Sequence, residues 1–374
     1  MRRWVIAAAA MILFPWIVSL TWMKASGREA EVAQLQPERG QAEGEGPKGQ
    51  GGNGEEGDFE SGGESPGPEG GEGETGSEAV EGGAMGEGIA ASGDGKAVED
   101  GASPHVLRKI LVKRQGMQTY IELEDYLPGV MACQVGGDCQ EEALKCQAVV
   151  ARTYLYRLMD GRTEVYEEEL DLDYLGESQA ALGADKEKLL NRLERCRAAA
   201  EATRGVVMKY DGRYILPLFH PISAGRTRNG DQEFPYLQSV ESGADTKRED
   251  YMQVKEWGRG EFAAAINQIS DGSPVAPEQL PEQIQTVRRD DAGYMVEIKI
   301  GAKTYSGDQV QYALGLPSPC FSLEGDQDVI RARIRGKGHG YGLSQAGADS
   351  MAREGWGYED ILNHYYKNIL LISE

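Results

Sequence analysis

The chain has 374 residues, a formal net charge of -22 and five cysteines. Roughly 15 of those charges fall in one Gly/Glu-rich stretch, so the rest is only mildly acidic and lacks the basic footprint that non-specific nucleic-acid binding needs. An odd number of cysteines does not imply a complete disulfide framework.

Arg2 and Arg3 precede an uncharged apolar run from Trp4 to Met23, about 20 residues long, the length that crosses a bilayer. The run exceeds the apolar core of a signal peptide, and no A-x-A site follows it. Residues 1–26 are therefore expected to be an uncleaved transmembrane anchor, with Trp16 and Trp22 suited to the interface. The basic start puts the N-terminus on the cytoplasmic side and everything after Lys24 outside. Residues 27–104 are rich in Gly and Glu and poor in aromatics. They cannot bury enough surface to offset chain entropy and are expected to form a disordered linker. As a flexible coil its ends would lie roughly 50 Å apart. Residues 105–374 remain for one folded domain, ample for a core.

That domain opens with an expected strand over 106–112. Residues 123–156 read as a short capped turn, a loop over 133–139 and a long helix. In the helix Ala143, Leu144, Ala148, Val149, Ala151, Tyr154 and Leu155 recur near a 3.6 period. A charged amphipathic helix covers 186–202. Asp211-Gly212 between two apolar runs predicts a hairpin over 205–219. A polar loop follows over 220–227, then a short helix over 262–269 and a second hairpin around Gly301. Residues 329–334 alternate, with Arg331, Arg333 and Arg335 on one face, expected to be solvated. After a Gly-rich turn over 338–345, two helices close the chain, separated by Gly355 and Gly357. Strands and helices mix without strict βαβ order, so the class is α+β.

Residues 338–366 read GHGYGLSQAGADSMAREGWGYEDILNHYY. This resembles the closing motif of the stage II sporulation protein D family and its amidase-enhancer relatives, roughly GHGxGxSQxGAxxMAxxGxxYxxILxHYY. Further blocks agree: Glu124 to Val130, Glu142 to Lys145 with Gln147 to Tyr154, Ala202 to Gly205 with Tyr210 to Gly212, and Leu314 to Leu316 with Ser318 and Phe321. His220, Ser223, Gly225 and Thr227 look like the family's His-Ser-Gly-Gly-Thr loop, with Arg226 inside it. The resemblance spans about residues 105–370. It implies a lytic transglycosylase that cuts peptidoglycan glycan strands once an amidase has removed the stem peptides. It implies a setting too: remodelling of the septal wall during engulfment in sporulation, beside a cell-wall amidase and other septal membrane proteins. In the family one glutamate serves as acid, then as base.

That glutamate lies eight residues before the one matched by Glu142, and the position holds Gln134. Breaking a glycosidic bond needs a carboxylic acid of raised pKa to protonate the departing oxygen. An amide still hydrogen-bonds a sugar but has no usable proton to give. The expected catalytic position is thus Gln134, with His220, Ser223, Arg226, Thr227, His339, Ser344 and Gln345 expected to bind substrate. The chain then reads as a membrane-anchored, outward-facing glycan binder with weak or lapsed activity. One alternative is an active enzyme using Asp138 or Glu141. Ordinary work for these two is a turn for Asp138 and a helix N-terminus for Glu141. A second alternative is a non-catalytic scaffold in an engulfment-type complex. Some relatives bind zinc at the loop histidine through adjacent cysteines; none follows His220, and no metal or cofactor is expected. Cys133, Cys139 and Cys146 are expected to be small buried apolar residues, with a Cys133–Cys139 disulfide or a metal site as the alternatives. Tyr365 and Tyr366 are expected in the core.

Overall fold

The computed structural model describes residues 107–374 apart from Gln115, Gly137, Gly183 and Ala184. The expected anchor over 1–26 and linker over 27–104 lie outside the described residues. Among those described, no helix is long and apolar enough to cross a membrane. Helices and mostly antiparallel strands mix as α+β within one unit.

β1 (Lys109–Arg114) and β2 (Met117–Glu122) form an antiparallel hairpin, and β3 (Glu164–Tyr166) lies parallel to β1 on its other side. α1 (Leu123–Gln134) starts where β2 ends. It replaces the turn and the first residues of the loop expected here. Pro128-Gly129 reads locally as a turn signal. Leu123, Tyr126, Leu127, Val130 and Met131, however, recur at i, i+3, i+4, i+7 and i+8, and all are buried. Burial of that stripe outweighs the proline. Gly129 is required by contact: a Cβ there would sit 2.2 Å from the Tyr174 ring. Gln134 is consequently the last residue of a helix rather than the middle of a loop.

α2 (Glu141–Met159) is the central element. Leu144, Ala148, Ala151 and Leu155 face a core shared with α1 and α3 (Lys186–Ala202). Cys146, Val149 and Val150 face a second core. Arg152, fully buried on α2, grips Glu124 of α1 with two 2.7 Å bonds. Its other N–H groups donate to Ala200 O, Val206 O and Thr203 Oγ1. A guanidinium buried this way is tolerable because every donor has an acceptor.

β4 (Val206–Tyr210) and β5 (Arg213–Tyr214) make the expected hairpin. Asp211 and Gly212 both take positive φ, 49° and 74°, as its two-residue turn demands. β6 (Phe219–His220) follows. A third core gathers β7 (Met252–Gly258), α4 (Arg259–Asn267), β8 (Ile284–Arg289), β9 (Met295–Ile300), β10 (Lys303–Ser306), α5 (Gly307–Leu314), β11 (Phe321–Gly325) and β12 (Val329–Arg335). On β12, Arg331 pairs with Glu256 and Arg333 with Glu324 at the solvated face. β13 (Leu343–Ser344) lies parallel to β6. α6 (Gln345–Arg353) and α7 (Tyr358–Tyr365) follow, and β14 (Leu370–Ser373) closes the sheet on β4. Tyr365 and Tyr366 are core residues, 1% and 0% exposed. The five thiols are free. Burial pushes those of Cys133 and Cys196 up to about 12, the behaviour of inert packing thiols.

Candidate functional site

Three segments, two of them neighbours and the third 211 residues beyond Gln134, converge at the C-terminal end of α1. Gln134 ends that helix, Gln147 is in the second turn of α2, and Gln345 begins α6. Their amides form a relay with one consistent polarity. Gln345 Nε2 lies 2.8 Å from the backbone oxygen of Gln134. A carbonyl oxygen only accepts, so that atom must be the Gln345 nitrogen. The same nitrogen donates to Gln147 Oε1 at 3.2 Å, which fixes the Gln147 amide. Gln147 Nε2 then donates to Gln134 Oε1 at 2.8 Å. Gln134 is left presenting Nε2 outward from the relay. That nitrogen is out of solvent contact and has no hydrogen-bond partner among the described residues.

This orientation has a chemical meaning. A protonated carboxylic acid in the same place would accept from Gln147 through its carbonyl oxygen and offer its O–H where Gln134 offers N–H. The amide copies the hydrogen-bonding face of the acid and lacks its transferable proton.

The neighbouring carboxylates do not share that character. Glu141 is exposed, and its hydrogen bond to Lys145 holds its carboxyl below the usual range. A general acid needs the opposite shift. Glu142 pairs with Lys145 and accepts the backbone N–H of Tyr358 at 2.8 Å, tying α2 to α7. Asp138 is exposed in the loop after α1, where its carbonyl accepts from Arg353 at 3.5 Å.

Behind the relay stands a buried acid, Asp245, that carries no motif signal in the sequence. Ser344 donates Oγ to Asp245 Oδ2 at 2.7 Å, Ser223 donates its backbone N–H at 2.8 Å, and Ser242 donates Oγ at 3.1 Å. Asp245 therefore ties the loop after β6 to the start of α6. Burial raises its pKa, against the pull of the serine donors. With 1% exposure it is an anchor rather than a group that meets substrate. Ser344 also caps α6, accepting from Gly347 N at 3.2 Å, and so places Gln345. Gly347 is needed because a Cβ would lie 2.0 Å from the Tyr365 hydroxyl and 2.3 Å from Ser242 Oγ.

His220 and His339 form a second group, with ring centroids 5.6 Å apart. His220 Nδ1 faces Tyr341 O at 3.1 Å, so Nδ1 carries its proton, whereas His339 Nδ1 accepts from Tyr341 N at 3.0 Å. Burial lowers the His220 pKa to about 4. Burial, then His220 and Arg228, lowers that of His339 to about 3. Both rings are neutral at neutral pH. Among the described residues no group of three His, Cys, Asp or Glu side chains is placed to hold a metal ion. Gly342, three residues after His339, turns the chain at φ 68°, where a Cβ would lie 1.8 Å from Leu218 O.

The expected substrate residues thus separate. Gln345 meets Gln134 directly, Ser223 and Ser344 meet at Asp245, and the two histidines pair. Arg226 is turned to Glu241 and Ser239 instead. Thr227 is buried, its Oγ1 accepting from Val240 N at 2.9 Å.

The segment that carries this relay also carries a match to known sequences. The family model described as Stage II sporulation protein matches residues 113–210, from β1 through α1 and α2 to β4. Stage II sporulation protein D of Bacillus subtilis is 31% identical over 262 residues, covering 66% of this chain and 73% of the relative. The Bacillus amyloliquefaciens protein of the same name is 30% identical, covering 67% and 74%. An uncharacterised Brachyspira hyodysenteriae protein is 28% identical over 262 residues. Matches of this extent, on the domain that holds the amide relay, mean that the chain belongs to the stage II sporulation protein D family.

Proposed function

We propose that this chain is a sporulation-associated cell-wall protein that holds peptidoglycan glycan strands without cutting them. The observation that carries the reading is the orientation of Gln134. A relay rooted in a backbone carbonyl fixes its Oε1 as an acceptor and leaves its Nε2 as a donor, which supports reading it in the place of a catalytic acid. An acceptor oxygen on a sugar satisfies that donor, and an unpaired buried amide N–H costs about 1–3 kcal/mol. That nitrogen is out of solvent contact, so a sugar reaches it only once the side chains covering it move. The proton transfer that completes bond cleavage has no donor at this position.

The alternative of an active enzyme using Asp138 or Glu141 is disfavoured by the exposure of both and by the lowered pKa of Glu141. In this reading the domain is presented outside the membrane by the apolar run over 1–26. It works beside a cell-wall amidase and other septal membrane proteins.

The test is a two-part assay. Insoluble peptidoglycan stripped of stem peptides is incubated with the full chain, then bound protein and released 1,6-anhydro sugars are measured. Retention without product is the expected result. Abundant anhydro product from the native sequence overturns the lapsed-enzyme reading, and absence of retention overturns the binding reading.

A further inference from the structure

We propose that the outer face of the β1–β2–β3 sheet is a second glycan-binding surface, separate from the Gln134 relay, that takes a β-1,4-linked amino-sugar strand. This rests on the reading of the chain as a glycan binder.

Strand register places three residues in one row across that face. Leu111 on β1 is paired with Tyr120 on β2 and with Tyr166 on β3. Ile110, Val112 and Val165, the alternating neighbours, point inward and are at most 3% exposed. Leu111 is half-buried and floors the row, while Tyr120 and Tyr166 are each 53% exposed. Two strand spacings separate the tyrosines, about 10 Å. That is on the order of one disaccharide repeat of an extended β-1,4 chain, so the rings meet every second sugar on one side. Polar groups border the row. Lys109, paired with Glu122 and Glu164, reaches within 5.8 Å of the Tyr120 ring, and Gln118 lies beyond.

The chemistry and the area choose the occupant. Aromatic faces cover the C–H faces of sugar rings, and a polar rim serves their hydroxyls and acetamido groups. The face is six residues long on β1 and β2 but only three on β3. That gives roughly 200 Å², far below the roughly 800 Å² per partner of a specific protein interface. A narrow linear ligand fits it and a folded protein partner does not. α1 runs from the end of β2 to Gln134, about 18 Å at 1.5 Å per residue. A strand of several sugars is long enough to span that distance, and a disaccharide, about 10 Å long, is not.

The experiment compares long strands with short ones. The full chain and its Tyr120→Ser/Tyr166→Ser variant are titrated with denuded insoluble glycan and with a soluble disaccharide, which is too short to meet both rings. Loss of both rings weakens long-strand binding by about tenfold. Disaccharide binding stays at the native level, and Tyr120→Phe/Tyr166→Phe, which keeps the rings, stays native in both arms. Native-level strand binding by the serine variant overturns the assignment, and is also what a protein partner or residues 1–106 on this face would give. Failure of the native chain to bind disaccharide, with strand binding still sensitive to the tyrosines, removes the Gln134 reading and leaves this surface standing. Failure of the native chain to bind either ligand overturns both.

Discussion

Gln345 Nε2 lies 2.8 Å from the backbone oxygen of Gln134, across 211 residues of sequence. This one bond sets the polarity of the amide relay. It makes the first residue of α6 responsible for what the last residue of α1 can offer. The GHGYGLSQ turn and the end of α1 are thereby one device, although neither sequence segment hints at the other.

The first prediction concerns Gln134→Glu. A glutamate there accepts from Gln147 through one oxygen, and burial favours the protonated form of the other. We expect the variant to release 1,6-anhydro sugars from denuded glycan, at about 10²–10⁴ times the native rate, the usual yield of a positioned general acid. Mass spectrometry of the soluble products decides it. An inert variant that still binds glycan would show that the loop after α1 has diverged along with the acid.

Gln345→Glu removes the donor and sets a carboxylate against the Gln134 carbonyl and Gln147 Oε1. Two acceptors then face a third, and we expect a loss of about 1–3 kcal/mol in urea unfolding. Gln345→Ala should cost less, because it withdraws the donor without adding charge. Equal stability for native and Gln345→Glu chains would contradict the relay.

Acid should destabilise the domain through its histidines. The unfolded imidazole titrates near 6.5, whereas His220 and His339 do so at about 4 and about 3. Between those limits the unfolded chain binds more protons, so stability is complete above about pH 6.5 and declines as pH falls toward 4 and 3. His220 alone contributes on the order of 3 kcal/mol to that decline. Asp245 acts in the opposite sense, since its raised pKa favours the folded state at lower pH. Thermal melts of native and His220→Gln chains from pH 7 to 4 should differ in slope, the variant being the flatter.

Gly347→Ala tests the Asp245 anchor. Alanine normally favours a helix over glycine by up to about 1 kcal/mol. Here its Cβ would press on Tyr365 and Ser242, both buried, and overpacking of that kind costs about 1–3 kcal/mol. Net destabilisation is the expected outcome in denaturant melts, and a stabilised variant would count against the packing described.

Local patterns in the sequence were enough for much of this protein. The 3.6-period stripe of α2, the charged helix over 186–202 and the Asp211-Gly212 hairpin all form as read, because each is decided by neighbours a few residues away. The amide at 134 is read as a substitution only through the resemblance to the family's block. Tertiary packing decided the rest. Pro128-Gly129 signals a turn, yet α1 runs through it because the stripe from Leu123 to Met131 must be buried. Nothing near Asp245 marks it as the acid that joins two loops, since its serine partners come from three segments. The direction of the Gln134 amide, likewise, exists only once α6 has brought a donor to its carbonyl, and hydrogen-bond polarity between distant segments has no period for a sequence to display.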